Sequence, residues 1–462
     1  MNRVIRIVAV MLPILAFVIL IGVTGLYAQD VGGADLAAPA SLALEAAPAT
    51  VPVPAKIDTG DTTWLLVSTA LVLAMTAPGL ALFYAGMVRS KNALGTIMQS
   101  FIILCLISLQ WVLWGYSLAF GPDKAHLIGG LEWIGLNGVG LEPNADYAAT
   151  VPHQAFMIFQ MMFAVITPAL MTGAFAERMK FGSFLVFTVL WATFIYDPLA
   201  HWVWAVGGSL RNMGALDFAG GTVVHISSGA AALACALVLR KRLGYGKEQM
   251  APHNLPMTVL GASLLWFGWF GFNAGSAVAS GALATSAFVV TNTAAATAAL
   301  AWMSVEWMYR GKPTVLGAAS GAVAGLVAIT PASGFVGPMA SIVIGGGAGV
   351  LCYGAVLWKS RLGYDDALDV VGVHGVGGIW GALATGLFAS KAINAAGADG
   401  LFYGNSAQLG IQALAVLVSV VFSFVGTFVL LKLVDGLMGL RVSEADERIG
   451  LDLSQHKERS YS

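Results

Sequence analysis

The sequence predicts an all-α polytopic membrane protein, with eleven transmembrane helices arranged as two inverted five-helix repeats plus one C-terminal helix. Three observations carry that expectation. The chain has 462 residues, of which 58% are hydrophobic and only 10% charged, where a soluble domain carries about 25% charge. Eleven apolar runs follow one another from Asp61 onward. The runs also hold an internal echo: Asp217 precedes His225 by eight positions and Asp366 precedes His374 by eight, with glycines and β-branched residues between.

Bulk numbers exclude several classes. A net charge of -1 offers nothing to a nucleic acid or other polyanion. The three cysteines, Cys105, Cys235 and Cys352, all lie in apolar runs and have no metal spacing, so neither a disulfide framework nor a metal site is expected. Fifty-six glycines suit helices that pack closely in lipid through small residues.

Residues 1–28 open with Arg3 and Arg6, continue through an apolar run from Ile7 to Val23, and reach Gly25-Leu26-Tyr27-Ala28. This reads as a secretory signal peptide cut after Ala28, the alternative being a retained signal anchor. Residues 29–61 are rich in Ala and Pro and read as a disordered extracytoplasmic lead. The membrane domain is expected over 62–440, with spans at 64–87, 96–120, 152–175, 182–206, 218–239, 257–277, 281–308, 314–331, 337–357, 367–389 and 407–435. Loops are short, apart from 121–150.

Lys and Arg set the orientation. Alternate loops hold Arg89 and Lys91, then Arg178 and Lys180, then Arg240, Lys241, Arg242 and Lys247, then Arg310 and Lys312, then Lys359 and Arg361. The opposite loops hold little more than Lys124, Arg211 and Lys391. The first set is cytoplasmic on this rule, which puts the N-terminus outside and the tail, 441–462, inside. Span five then runs inward and span ten outward, as inverted repeats require, and such repeats place their sites near midplane. Eight residues at 1.5 Å rise put each histidine roughly 12 Å deeper than its aspartate, near the middle of a core about 30 Å thick.

An ionisable residue at that depth is a functional candidate by default. A lone buried histidine is more often a packed core residue, but two at matching positions reverse that preference. Two facing neutral imidazoles, each with one donor and one acceptor nitrogen, can hold a small polar molecule or pass a proton without net charge. Asp217 reads chiefly as the N-cap and dipole partner of span five, with a share in attracting cations. Asp366 and Asp369 read as its inner counterparts, more solvated. Phe159 and Phe163 are four apart on one helical face. Trp204 ends span four, and span six carries Gly268-Trp269-Phe270-Gly271-Phe272-Asn273-Ala274-Gly275-Ser276. Such aromatics fit a lipid-interface belt or a cation-π cup, and periodicity does not choose between these.

Four runs together resemble the Amt/Mep/Rh family of ammonium transporters, and its Amt branch best. They are Asp217 to His225, Gly268 to Ser276, Pro252-His253-Asn254-Leu255-Pro256, and Val370 to Gly375. The likeness extends from about residue 62 into the tail. It implies that His225 and His374 are the twin histidines of the pore. It implies that Phe163, Trp204 and Ser276 form the outer recruitment site, with Phe159 walling the vestibule. Phe163 and Phe272 become the phenyl gate, with Asp217 the supporting aspartate beneath the recruitment site. It further implies a homotrimer in the cell membrane with one pore per subunit, a tail docked on a neighbouring subunit's loops, and contact of that face with a PII-type signal protein. The chain departs from the family in its long lead and at His456-Lys457-Glu458, where glycine is expected at 457.

The reading is a transporter without cofactor or metal and not an enzyme. It captures NH4+ (or methylammonium) in the aromatic cup, removes a proton, and conducts NH3 past the histidines, with the proton relayed separately. K+, with no proton to give, is excluded. An ammonium sensor would use the same site, but only a short tail follows Arg441. An intramembrane enzyme would need a nucleophile or metal set that the sequence does not offer.

Overall fold

The computed structural model describes residues 56–461, so the expected signal peptide and most of the Ala/Pro-rich lead lie outside the described residues. Eleven apolar helical segments follow in order. These are α1 (Thr59–Met87), α2 (Ser90–Phe120), α3 (His153–Phe175), α4 (Phe181–Asn212), α5 (Gly221–Leu239), α6 (Leu255–Gly275), α7 (Ala282–Arg310), α8 (Val315–Ile329), α9 (Pro338–Leu362), α10 (Val371–Phe388) and α11 (Ser406–Met438). Ten of them are long and apolar enough to cross a membrane, while α8 has only 15 residues. The chain is therefore a multi-pass, all-α membrane protein.

Three of the starts are capped by the side chain that precedes them. Asp58 caps α1 by accepting the Asp61 N–H at 2.9 Å, Asn254 caps α6 through the Met257 N–H at 3.0 Å, and Thr314 caps α8 through Gly317 at 2.9 Å. Several spans are interrupted by one wide π-turn. In α1 it falls at Met75–Leu80, where Pro78 lacks an N–H and Ala77 leaves helical geometry. The two that matter most open α5 at Gly221–Ile226 and α10 at Val371–Gly375. The loop between α2 and α3 folds into two small hairpins, with β1 (Asp123–Lys124) paired to β2 (Ile128–Gly129) and β3 (Pro143–Asn144) to β4 (Ala148–Pro152).

α3 and α5 form the centre of the bundle, with 89% and 83% of their apolar windows buried against 33% for α7. Glycine lets backbones touch, as the composition suggested. A Cβ on Gly345 of α9 would lie 2.3 Å from the Ala294 carbonyl of α7. In lipid this close approach replaces the hydrophobic drive of a water-soluble core.

One end of the bundle is tied by charge. Arg242 grips Asp365 with its backbone N–H at 2.8 Å, Nε at 2.9 Å and Nη2 at 2.8 Å. Burial alone would raise the Asp365 carboxyl, but the Arg242 fork holds it below the usual carboxylate value. Arg178 is fully buried and donates to the carbonyls of Ala174 at 2.8 Å and Asp365 at 2.6 Å. Burial draws its guanidinium down to about 10.

The tail is ordered and adds α12 (Glu444–Ile449) and α13 (Leu451–His456). Asp452 accepts the N–H groups of Gly95 at 2.8 Å and Leu94 at 3.1 Å, capping the first α-helical turn of α2. Buried Glu447 bonds the Leu243 N–H at 2.7 Å and Arg441 at 2.7 Å. The tail thus contacts loops of its own chain. Lys457, where glycine was expected, ends α13 in the left-handed region at φ 57°.

Candidate functional site

The site is built where α5 and α10 cross. Gly229 and Gly375 meet there backbone to backbone: a Cβ on Gly229 would lie 2.3 Å from the Gly375 Cα and N. That contact brings His225, one turn before Gly229, beside His374. Their Nδ1 atoms are 3.3 Å apart and the rings stack at 5.3 Å with 25° between planes. Both are buried, at 1% and 3% exposure. A hydrogen bond between them requires one Nδ1 to donate and the other to accept, so the two rings carry opposite tautomers.

Among the described residues nothing else polar is bonded to the two imidazole rings. The Nε2 of His225 is buried without a partner. Trp269 stacks on His225 at 5.4 Å and 23°, its own N–H satisfied by Thr330 Oγ1 at 2.9 Å. The histidines line a cavity of about 10 Å³ with Phe272, Ile166, Leu170 and Val323, about the least room that admits one water-sized molecule.

The two aspartates do matching work. Asp217 accepts the N–H groups of Gly220 at 2.8 Å, Gly221 at 2.6 Å and Thr222 at 2.7 Å, and also the Thr222 hydroxyl. It thereby fixes the π-turn that carries His225. Asp366 accepts the Val371 N–H at 2.7 Å and opens the π-turn that carries His374. Each bonds the residue five positions on. The expectation that Asp366 and Asp369 are more solvated needs correction for Asp366, which is 0% exposed. Lys359 folds back over this turn, donating to the Asp366 carbonyl at 2.7 Å and pairing with Asp369. Burial pushes the Asp366 carboxyl up to about 6.

Aromatic rings lie on one side of the pair. Phe163 and Phe272 face each other at 4.3 Å and 30°, and the Phe272 ring centre is 6.0 Å from that of His225. Phe163 meets Trp204 edge-on at 5.8 Å, and Phe159 at 5.0 Å. Trp204 is aimed by its indole N–H, which donates to the Asp217 carbonyl at 2.9 Å. Ser276 donates to the Phe272 carbonyl at 2.9 Å, which leaves its oxygen lone pairs free to accept. Ring contacts thus join Phe159, Phe163, Trp204 and Phe272 to the His225–His374 pair, while Ser276 is placed by its bond to the Phe272 carbonyl. Sequence reasoning missed the Trp269–Thr330 pair and the Gly229–Gly375 contact. The small-residue run after His225 and the glycine after His374 were the available signal for the second.

Buried imidazoles behind a row of aromatic rings, inside a multi-pass helical bundle, fit a membrane transport protein. Among the described residues no group of three His, Cys, Asp or Glu could hold a metal ion. The chain belongs to the Ammonium Transporter Family, whose profile matches residues 63–461. It is 56% identical to the ammonium transporter of Bacillus subtilis over 405 residues, covering 87% of this chain and 98% of that one. It is 49% identical over 403 residues to ammonium transporter Amt1 of Archaeoglobus fulgidus, covering 87% and 99%. Among solved structures, Candida albicans Mep2 matches with TM-score 0.80 at 38% identity, over 84% of this chain and 88% of Mep2. Members of this family are transport proteins and not catalytic enzymes.

Proposed function

We propose that the chain carries ammonium across a cell membrane, taking up NH4+ and conducting NH3 past the His225–His374 pair. The carrying observation is that pair: two buried imidazoles 3.3 Å apart in an otherwise apolar slot. An ammonium ion cannot cross such a slot cheaply. A central charge costs at least about 2.5–3.5 kcal/mol, whereas NH3 has donors and an acceptor to match the imidazole nitrogens.

The steps follow from the order of residues along the path. Phe163 and Trp204, walled by Phe159, present ring faces to the cation, and the Ser276 oxygen accepts one of its N–H bonds. The ion gives up a proton on entering, NH3 slips between Phe163 and Phe272, and the histidines receive it. The proton travels separately. K+ has no proton to lose and stops at the rings. Asp217 serves by holding both Trp204 and the His225 turn in place.

The wider assignment is that all eleven segments span, as two inverted five-helix repeats with α11 added. The matching Asp217 and Asp366 caps support the repeat. The Lys/Arg distribution supports a C-terminus on the cytoplasmic side and an N-terminus outside. A signal peptide at 1–28, a lead at 29–61, a membrane domain over 62–440 and a tail at 441–462 complete the organisation. The family likeness supports a homotrimer and a PII-type partner on the inner face. The test is uptake of labelled methylammonium, with current recorded in parallel, by purified protein in lipid vesicles. Saturable uptake inhibited by NH4+ supports the reading, and uptake no faster than in empty vesicles sinks it.

A further inference from the structure

The mouth of a path for a cation carries a fixed cation of its own. Arg211 lies in the short segment between Trp204 and Asp217 and is exposed. Its Nη1 donates to the Trp204 carbonyl at 2.5 Å, while the Trp204 indole donates to the Asp217 carbonyl at 2.9 Å. The guanidinium is therefore held at the rim and not swept through solvent. Among the described residues it has no carboxylate in ion-pair range. Asp123, which packs against Gly207 in the same rim, is engaged by His201 at 2.8 Å and His126 at 3.3 Å. The neighbouring loop is otherwise acidic, with Asp123, Glu132, Glu142 and Asp146 against Lys124 alone. Arg211 is thus the unpaired positive charge nearest in sequence to the aromatic cup, set into a surface of the opposite sign.

We propose that Arg211 sets the affinity of the outer mouth for monovalent cations, its tethered charge lowering the occupancy of the site beside Trp204. The inference rests on the capture site described under Proposed function.

The size of the effect follows from Coulomb's law. In water two unit charges r Å apart interact by about 332/(80r) kcal/mol, so any separation of the order of 10 Å changes occupancy roughly twofold at low ionic strength. In about 1 M salt the Debye length falls to about 3 Å and the factor falls close to one. The field acts alike on every monovalent cation, so it alters affinity and leaves the preference for ammonium over K+ unchanged. A purely mechanical role, in which the bond to the Trp204 carbonyl merely holds the rim, would act in the opposite direction: loss of Arg211 would loosen the cup and weaken capture at any salt concentration.

The experiment compares wild type, Arg211→Gln and Arg211→Lys in lipid vesicles. It reads the half-saturating concentration of methylammonium at about 10 mM and about 1 M NaCl, and inhibition by K+ alongside. Arg211→Gln is expected to lower the half-saturating concentration about twofold at low salt and to match wild type at high salt. Arg211→Lys keeps the charge and is expected to follow wild type at both, and the ratio of K+ inhibition constant to methylammonium half-saturation is expected to be the same in all three proteins. The inference is overturned if Arg211→Gln matches wild type at low salt, if its shift persists at high salt, if it weakens capture, or if Arg211→Lys shifts with it. Active wild type beside an indifferent Arg211→Gln overturns this inference alone, whereas wild type that takes up nothing overturns the transport reading and this inference with it.

Discussion

Gly229→Ala is the substitution whose cost the structure defines most closely. The new Cβ would stand 2.3 Å from both the Cα and the N of Gly375, where carbon contacts settle at about 3.5–4.0 Å. The atoms in the way are backbone and cannot rotate aside, so α5 and α10 must part by about 1.2 Å at the crossing. His374 adjoins Gly375 and His225 lies one turn from Gly229, so the separation passes directly to the Nδ1 pair, now 3.3 Å apart. That takes the pair out of hydrogen-bond range. Overpacking costs about 1–3 kcal/mol, and the lost hydrogen bond about 0.5–1.5 kcal/mol more. The assay is thermal unfolding of the purified variant together with methylammonium uptake per unit of folded protein. Unfolding should come earlier and uptake should fall about tenfold or more, as misplacements near 1 Å do at other reacting sites. Gly378→Ala is the control. Its Cβ would meet Ile226 Cγ1 at 3.0 Å, and His225 Cβ and the Ile226 backbone N at 3.1 Å, all less tight than the 2.3 Å at Gly229, and its effect should be smaller. A Gly229→Ala protein with wild-type unfolding and uptake would refute the claim that the glycine crossing sets the histidine geometry.

Other consequences are as direct. Trp204→Leu should weaken ammonium capture and selectivity while leaving the fold intact, and unchanged half-saturation would return Trp204 to the role of a belt residue. Lys457→Gly should raise thermal stability by about 1 kcal/mol, since a left-handed residue with a side chain costs about that much, and a lower unfolding temperature would contradict it. Asp365→Asn should cost up to about 3 kcal/mol by removing the carboxylate that Arg242 grips, leaving the guanidinium only the longer contact to Glu177 at 3.6 Å. Because the Asp365 carboxyl lies below its ordinary value in the fold, its contribution is present above that ordinary value and is lost as pH falls through the lowered one. Acidifying wild type from pH 7 to about 4 should therefore leave this contact intact, and loss of it within that window would show that the carboxyl is not held below its ordinary value.

How much of this could be read in advance depended on whether the cause was local. The apolar runs, their order and the repeated Asp–His spacing are properties of the chain itself, and the two histidines do meet. The stacking of Phe163 on Phe272 was implied by family likeness alone, because helical periodicity cannot say which of several aromatics faces a path. The π-turns that carry His225 and His374 left no trace in composition. They arise where one carboxylate gathers the N–H groups at the start of a span. Asp366 looked solvated because it borders a charged loop, yet Lys359 folds over that turn and shuts out water. Lys457 was marked as out of place in sequence, and its positive φ gives the physical reason. Docking of the tail was implied by family likeness alone, and its anchors Glu447 and Asp452 were not legible, since charge-laced segments more often stay in solvent.

The central claim is that the twin histidines select and pass ammonia, and the most direct measurement is current through His225→Ala. Equal amounts of purified wild type and variant are reconstituted in lipid vesicles, and current is recorded with NH4+ and then with K+. The account predicts that the variant loses the ammonium-driven current and admits K+ once water fills the space left by the imidazole. A variant that conducts ammonium at the wild-type rate and still excludes K+ would contradict it.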